Sequence, residues 1–160
     1  MSQVIDEVPA GGQTERAMKV EIWSDVVCPW CYVGKRRFEK ALDSFAHRDE
    51  VEVTFRSFQL DPDAPRLNGE STSELLAKKY GMTPEQVAKS QADLTKLAAA
   101  DGLEYHLEQT RRGNTFDAHR VLHLAGASGL GEAVQERFFR GYFTEGRHRA
   151  AEAVASADSA

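Results

Sequence analysis

Two cysteines separated by only two residues are the part of this sequence best suited to chemistry. Cys28 and Cys31 enclose Pro29 and Trp30, and the chain of 160 residues contains no third cysteine. Thiols at this spacing either exchange between dithiol and disulfide or bind a metal ion. A structural disulfide is a poor alternative, because so short a loop gains little stability from closure. The pair and its surroundings therefore predict redox chemistry.

The position of the pair at the start of a predicted helix would make one sulfur reactive. Pro29 suits the first helical turn, where its missing N–H costs nothing. Backbone N–H groups and the helix dipole stabilise a thiolate there, and the thiolate is the form that attacks a disulfide. We expect Cys28 to be the exposed nucleophile and Cys31, one turn later, the more buried resolving thiol. Trp30 and Tyr32 are expected to flank the sulfurs with apolar surface.

A zinc site is the competing interpretation of the same two cysteines. His119 and His123 lie four residues apart on a predicted helix, so the four side chains make a nominal Cys₂His₂ set. The cysteines and the histidines are much further apart in sequence than in a compact zinc finger. Elemental analysis separates the two interpretations, because stoichiometric zinc would contradict the redox one.

The segment around the cysteines has a β-α-β pattern. Apolar residues alternate at 18–22 and again at 51–55, which predicts two strands. Helical spacing between them predicts one buried helix face. Its members are Phe38, Ala41, Leu42 and Phe45. The basic run at 35–37 is interpreted as a solvated part of the same helix. Residues 18–65 are therefore predicted to form a parallel strand pair with a right-handed crossover.

Residues 66–146 are predicted to form an all-helical block. Capping signals at Ser71, Thr83 and Asn114 predict the starts of three helices, and glycines mark helix ends. An aromatic run predicts a further helix and part of the core. It comprises Phe138, Phe139, Tyr142 and Phe143. The stretch 103–113 has no clear period and is predicted to be a connector.

Composition and charge exclude several classes of protein. The net charge of −5 leaves no basic excess to neutralise phosphates, so we expect no nucleic-acid partner. No apolar run of about 18 residues occurs, so we expect no membrane span. Residues 1–17 lack the apolar core of a signal peptide and are predicted to be a flexible leader, which makes a cytoplasmic location the expectation. Residues 147–160 are rich in alanine and are predicted to be a disordered tail or a frayed helix.

Four stretches in a fixed order give a more specific signal than the cysteine spacing. They are Ser24 to Lys35, Phe58 to Pro62, Asn114 with Asp117-Ala118-His119-Arg120, and Tyr142 to Gly146. This ordered set resembles the DsbA-like thioredoxin superfamily, in particular its FrnE-like subgroup, which is related to 2-hydroxychromene-2-carboxylate isomerases. The resemblance implies an α/β thioredoxin-like fold in which an all-helical insertion follows the β-α-β unit. It also implies disulfide oxidoreductase or isomerase activity.

The resemblance assigns roles to individual residues. Cys28 and Cys31 would be catalytic, and the pair favours the dithiol branch because the isomerase relatives generally use a glutathione-linked serine and lack the cysteines. The implied substrates are protein or small-thiol disulfides. No bound cofactor is implied, and glutathione or another small thiol would recycle the pair. The residues expected to line the site are Pro29, Trp30, Asp25, His119 and Asn114.

Three of these lining residues have simpler alternatives. Asp25 lies three residues before Cys28, where it is either a proton acceptor or a solvated carboxylate at a strand end. His119 is either a hydrogen-bonded histidine on a helix face or part of the site lining. Asn114 is more simply a helix cap than a contact to a ligand.

The chain departs from the family pattern after the helical block. Thioredoxin folds continue there with a β-hairpin, a cis-proline facing the active-site sulfur, and a closing helix. No proline follows Pro84, and no alternating strand pattern follows Gly146. We therefore expect a fold truncated before that hairpin, with an unpaired strand edge that favours a homodimer. A weakly active or inactive binding module is the alternative that this departure leaves open.

Overall fold

The chain, in a computed structural model, is described at residues 18–66, 70–111 and 113–146. The predicted leader at 1–17 and the predicted tail at 147–160 lie outside these ranges and stay predictions. The elements in the described ranges are β1 (Met18–Ser24), α1 (Pro29–Asp43), β2 (Val51–Ser57), α2 (Thr72–Tyr80), α3 (Pro84–Ala100), α4 (Phe116–Ala127) and α5 (Gly131–Phe143), with short 3₁₀ helices at Arg48–Glu50 and Leu107–Gln109. None of these helices is both long enough and apolar enough to cross a membrane.

The two strands pair in parallel, as the β-α-β pattern predicts. Val20 lies opposite Val53, and Ile22 lies opposite Phe55. Side chains alternate along a strand, so these four share one apolar face of the sheet. The other face is charged. Its ion pairs join Lys19 to Glu52 at 3.5 Å and Arg56 to Glu21 at 2.6 Å. The C-terminal end of β1 leads directly into the turn that carries the cysteines.

Local sequence signals set the ends of α2 and α3 as predicted. The Ser71 hydroxyl accepts a hydrogen bond from the Glu74 N–H at 3.1 Å, and the Glu74 carboxylate accepts from the Ser71 N–H at 2.8 Å. Thr83 and Gln86 form the same reciprocal capping box before α3. Gly81 ends α2 with a φ of 64°, a left-handed conformation that favours glycine. The helical block is therefore specified in part by its own caps.

The main core is a stack of aromatic rings that joins α1 to the helical block. Tyr32 of α1 stacks on Phe139 of α5, with 4.7 Å between ring centroids. Tyr105, from the predicted connector, stacks on Phe143 at 4.9 Å. The predicted core of α5 is confirmed. Its buried members are Phe138, Phe139 and Phe143, and Tyr142 is half-buried.

Helix α1 buries a different face from the predicted one. Its buried side chains are Tyr32, Val33 and Lys35. Of the predicted face, Phe38 and Leu42 line an open cavity of about 660 Å³ between α1, β2, α4 and α5. The prediction used only the spacing of apolar residues, and spacing does not show which neighbouring element covers a face. The helical block covers the first turns of α1 instead.

Candidate active site

The two cysteines lie at the N-terminus of α1, as predicted. Cys28 occupies the N-cap position with an extended backbone (φ −92°, ψ 110°), and Pro29 is the first residue of the helix. The Cys28 N–H donates to the Asp25 carbonyl at 3.1 Å, and the Cys31 N–H donates to the Cys28 carbonyl at 3.1 Å. Both thiols are reduced and half-buried. The expected contrast between an exposed Cys28 and a buried Cys31 is therefore absent.

The acidity of each thiol depends on the other. The pKa of Cys31 is lowered to about 6, first because of its side-chain hydrogen bond with Cys28, while burial acts in the opposite direction. The pKa of Cys28 is raised, first by that same side-chain hydrogen bond and then by burial. The lower pKa thus belongs to Cys31, and the role of Cys28 as nucleophile stays a prediction. The pair releases its first proton well below the ordinary cysteine pKa, which gives it a thiolate for exchange.

Backbone N–H groups also act on the Cys28 sulfur. Those of Cys31 and Trp30 work against the raised pKa of Cys28 and favour its thiolate. Neither N–H forms a capping hydrogen bond with the Cys28 side chain. Their effect is that of partial positive charges at the end of the helix.

The two aromatic residues predicted to flank the sulfurs have different environments. Trp30, which lies between the two cysteines in the sequence, is 58% exposed, so its indole is on the surface. Tyr32 is buried in the aromatic core, and its hydroxyl donates to Glu136 Oε1 at 2.6 Å. Only Trp30 is therefore available to contact a substrate, and Tyr32 fixes the helix to the block behind it.

Asp25 is buried, so its interpretation as a solvated carboxylate is wrong. It is only 1% exposed, and its Oδ2 accepts a hydrogen bond from the Leu60 N–H at 2.8 Å. Its Oδ1 lies 3.2 Å from His119 Nε2, which also lies 3.1 Å from the Phe58 carbonyl oxygen. Both oxygens are acceptors, so Nε2 carries the hydrogen and donates it. His119 thus takes the hydrogen-bonded position and links α4 to the turn before the cysteines.

Asn114 joins the loop after β2 to the start of α4. Its Oδ1 accepts from the Phe116 N–H at 2.9 Å, and its Nδ2 donates to the carbonyls of Pro62 at 2.9 Å and Ala64 at 3.1 Å. Thr115 occupies the N-cap position of α4, so the predicted cap lies one residue too early. Asn114 still satisfies an N–H of the first turn, and its bonds brace the loop.

The basic run in α1 includes a buried lysine, so its interpretation as a solvated face is wrong for Lys35. Lys35 is 4% exposed, and its amine contacts the Glu39 carboxylate and lies 3.2 Å from Glu136 Oε2. Arg36 Nη2 lies 2.6 Å from Glu136 Oε1. Burial lowers the pKa of Lys35, but Glu39 and Glu136 outweigh it and raise that pKa overall. The network fixes the middle of α1 to α5.

Tyr105 contacts the active-site turn and was missed by sequence reasoning. Its hydroxyl donates to the Pro29 carbonyl oxygen at 2.7 Å. The ring is buried and packs between Tyr32 and Phe143. The stretch around it has no helical or strand period, so nothing in the local pattern marked it as part of the site.

The positions of the histidines do not support the zinc interpretation. His119 faces Asp25, and His123 Nε2 lies 3.0 Å from the Ser57 hydroxyl. Within the described ranges, no group of three or more His, Cys, Asp or Glu side chains is arranged to hold a metal ion. The cysteines and the histidines therefore do not form the nominal four-ligand set.

Comparison with known proteins adds three findings. The family model of the DSBA-like thioredoxin domain matches residues 19–158. The crystal structure of the probable DsbA oxidoreductase SCO1869 from Streptomyces coelicolor is similar with a TM-score of 0.80 and 47% identity, over 88% of this chain and 63% of that chain. The uncharacterized protein YwbO of Bacillus subtilis (strain 168) is 27% identical over 128 residues, which are 79% of this chain and 56% of YwbO. The chain thus spans less than two thirds of the length of either protein.

Proposed function

Because the chain belongs to the DSBA-like thioredoxin domain family, we propose that it is a thiol-disulfide oxidoreductase that reacts through Cys28 and Cys31. The fold and the similarity to a probable DsbA oxidoreductase support this activity at the level of the family. The observation that carries the proposal is the free cysteine pair at the N-terminus of α1, with one pKa lowered to about 6. The pair favours dithiol exchange of the FrnE type over the serine-based isomerase chemistry of related proteins.

The reaction transfers two electrons from the dithiol to a substrate disulfide. In the proposed first step, Cys28 gives up its proton to the neighbouring Cys31 thiolate, attacks one substrate sulfur, forms a mixed disulfide and releases the other substrate sulfur as a thiolate. Cys31 then passes this proton to the released thiolate and attacks the Cys28 sulfur, which forms the Cys28–Cys31 disulfide and releases the second substrate thiolate. Two molecules of a small thiol such as glutathione then reduce the Cys28–Cys31 disulfide and leave as their own disulfide, so no bound cofactor is needed. The reverse sequence oxidises a substrate dithiol.

Exposed apolar side chains support a disulfide-bearing peptide as the substrate. Trp30 lies between the cysteines, and Phe58 and Leu60 belong to the segment that hydrogen-bonds to Asp25 and His119. All three apolar side chains are at least half exposed. Such surface favours partly unfolded protein segments over strongly charged ligands. A cytoplasmic location remains part of this proposal.

Reduction of insulin by dithiothreitol tests the proposed activity. Wild type is expected to accelerate precipitation of the insulin B chain, and Cys28→Ser is expected to abolish the acceleration because it removes the attacking thiol. Cys31→Ser is expected to trap a mixed disulfide that mass spectrometry detects. Equal rates for wild type and Cys28→Ser would leave the non-enzymatic binding module as the better description.

A further inference from the structure

The hydroxyl of Tyr105 acts on the peptide group between the two cysteines. It donates a hydrogen bond of 2.7 Å to the carbonyl oxygen of Pro29. Burial, followed by the charges of Tyr32, Cys28 and Cys31, raises the pKa of Tyr105, so the hydroxyl keeps the proton that it donates. The side chain is thus close to both sulfurs and bound to the backbone between them.

The Pro29 carbonyl and the Trp30 N–H are the two polar ends of one planar peptide group. A trans peptide directs them to opposite sides, so holding the oxygen also fixes the direction of the N–H. Cys28 lies at the N-cap position, beside the Trp30 N–H. A donor on the carbonyl also polarises the peptide and strengthens the N–H as a donor.

The backbone around Tyr105 is held firmly enough to impose this orientation. The His106 N–H donates to the Phe143 carbonyl at 2.7 Å, and the Leu103 N–H donates to the Ala98 carbonyl at 3.0 Å. The Thr144 hydroxyl donates to the Glu104 carbonyl at 2.7 Å. The Tyr105 ring is also fixed by its stacking partners, so its hydroxyl has little freedom to move away from Pro29.

We propose that Tyr105 is a positioning residue for the dithiol, whose hydroxyl holds the Pro29–Trp30 peptide group so that the Trp30 N–H faces the Cys28 sulfur. The helical block would then tune the reactivity of a cysteine that belongs to the β-α-β unit. The role in exchange rests on the proposed function, whereas the effect on the Cys28 thiolate does not depend on any substrate.

The test compares Tyr105→Phe with Tyr142→Phe in a Cys31→Ala background, where Cys28 is the single thiol. Tyr142 is the matched control because it packs against the same core and its hydroxyl donates to the Arg111 carbonyl at 2.9 Å rather than to the peptide group between the cysteines. Tyr105→Phe is expected to raise the titration midpoint of Cys28. At a pH below that midpoint, its alkylation should slow by about 3- to 10-fold, the effect of one hydrogen bond. Tyr142→Phe should change the rate by less than about 2-fold.

The stability of each variant, measured by urea denaturation, separates positioning from folding. Both changes remove a tyrosine hydroxyl bonded to a main-chain carbonyl, so a merely structural role would affect the two variants alike. An unchanged Cys28 midpoint in Tyr105→Phe, or an equal shift in Tyr142→Phe, would overturn the proposal.

A second measurement needs no change at Tyr105. In the Cys31→Ala protein, the amide proton of Trp30 should shift in NMR spectra with the same midpoint as the Cys28 thiol, and an amide that does not titrate would overturn the proposal. If wild type does not catalyse exchange while these Cys28 shifts are observed, the proposed function fails and the role of Tyr105 stands.

Discussion

Cys31 owes its low pKa to a neighbouring thiol, so neither cysteine has its properties alone. Side-chain hydrogen bonding with Cys28 lowers the pKa of Cys31 more than burial raises it. The Asp25 backbone N–H adds to the lowering, and the negative charge of Asp25 opposes it. The pKa at which the pair loses its first proton is therefore expected to change when either sulfur is altered.

Replacement of Cys28 by alanine is expected to raise the titration midpoint of Cys31 from about 6, because the largest cause of its lowered pKa is lost. Ultraviolet absorbance of the thiolate measures this directly.

The stability of the folded reduced protein also depends on the ionisation of the Cys31 thiol. A lowered folded pKa contributes stability that is present above the unfolded value of 9 and is lost as the pH falls through about 6. Wild type should therefore gain stability relative to Cys28→Ala as the pH rises across that window, and a parallel pH dependence of the two would contradict the coupling.

The stability contributed by the buried pair of Asp25 and His119 is expected to depend on the hydrogen that His119 Nε2 donates. His119→Leu removes this donor from the buried Asp25 carboxylate and the partly buried Phe58 carbonyl, which should cost about 1–3 kcal/mol in the free energy of unfolding. His119→Gln places an amide N–H near the same position and should cost less. Urea denaturation of the reduced proteins measures both. Equal losses in the two variants would show that the donor contributes little.

At the scale of elements, two sets of polar contacts add to the aromatic core in attaching helix α1 to the helical block. Tyr105 holds its first turn through the Pro29 carbonyl, and Glu136 of α5 holds the following turns through Tyr32, Lys35 and Arg36. The cysteines lie at the end of a helix whose position is thus set by the block rather than by the sheet alone.

Lys35→Met is expected to destabilise the protein by about 1–3 kcal/mol, because Glu39 and Glu136 lose the cation between them while both stay partly exposed. Arg37→Met is the control, since the ion pair of Arg37 with Asp101 has an exposed arginine, and it should cost less than about 1 kcal/mol. Burial raises the pKa of Glu136, but the Tyr32 hydroxyl and the charges of Lys35 and Arg36 lower it overall.

The stability from Glu136 is consequently present above its ordinary pKa of 4.5 and is lost as the pH falls below that value. The loss of stability below this pH should be smaller in Lys35→Met than in wild type. Thermal unfolding at a series of acidic pH values measures the difference. A similar loss in Lys35→Met and Arg37→Met at neutral pH would count against the network.

Patterns along the sequence were sufficient to predict the strands, most helix ends and the position of the cysteines at the start of a helix. Ser71 and Thr83 cap the first turns of α2 and α3 through residues only three positions away, so the local sequence is enough to predict these helix starts. Tyr105 and Lys35 depend on partners far away in sequence, and their surroundings show no period that marks them as buried. The burial of Asp25 was not predictable from the local pattern either, because its contacts are with Leu60 and His119 rather than with the adjacent residues of β1. Sequence patterns therefore predicted the scaffold better than the contacts that cross between its two parts.

At the scale of the whole molecule, the described sheet consists of two strands, so each has one unpaired edge there. The predicted homodimer follows from these edges, which can pair with a second copy. Trp23 is an exposed side chain on the charged face of β1.

Trp23→Lys is expected to weaken self-association, because a charged side chain on an edge strand opposes pairing with another chain. Tyr80→Lys is the matched control, since Tyr80 is also exposed but lies at the end of α2, away from the sheet. Sedimentation velocity over a range of protein concentrations measures both. A wild type that stays monomeric throughout the range would contradict the dimer.

The exposure of Trp30 has a consequence for spectroscopy. The chain has two tryptophans, and both are more than half exposed, so the folded protein should already emit at the wavelength of a hydrated indole. Unfolding should shift this emission little. A disulfide next to Trp30 should instead quench its fluorescence by contact, so that intensity reports the oxidation state of the pair rather than folding. In Trp23→Phe, Trp30 would remain as a single built-in fluorescent indicator of the redox state of the cysteines beside it.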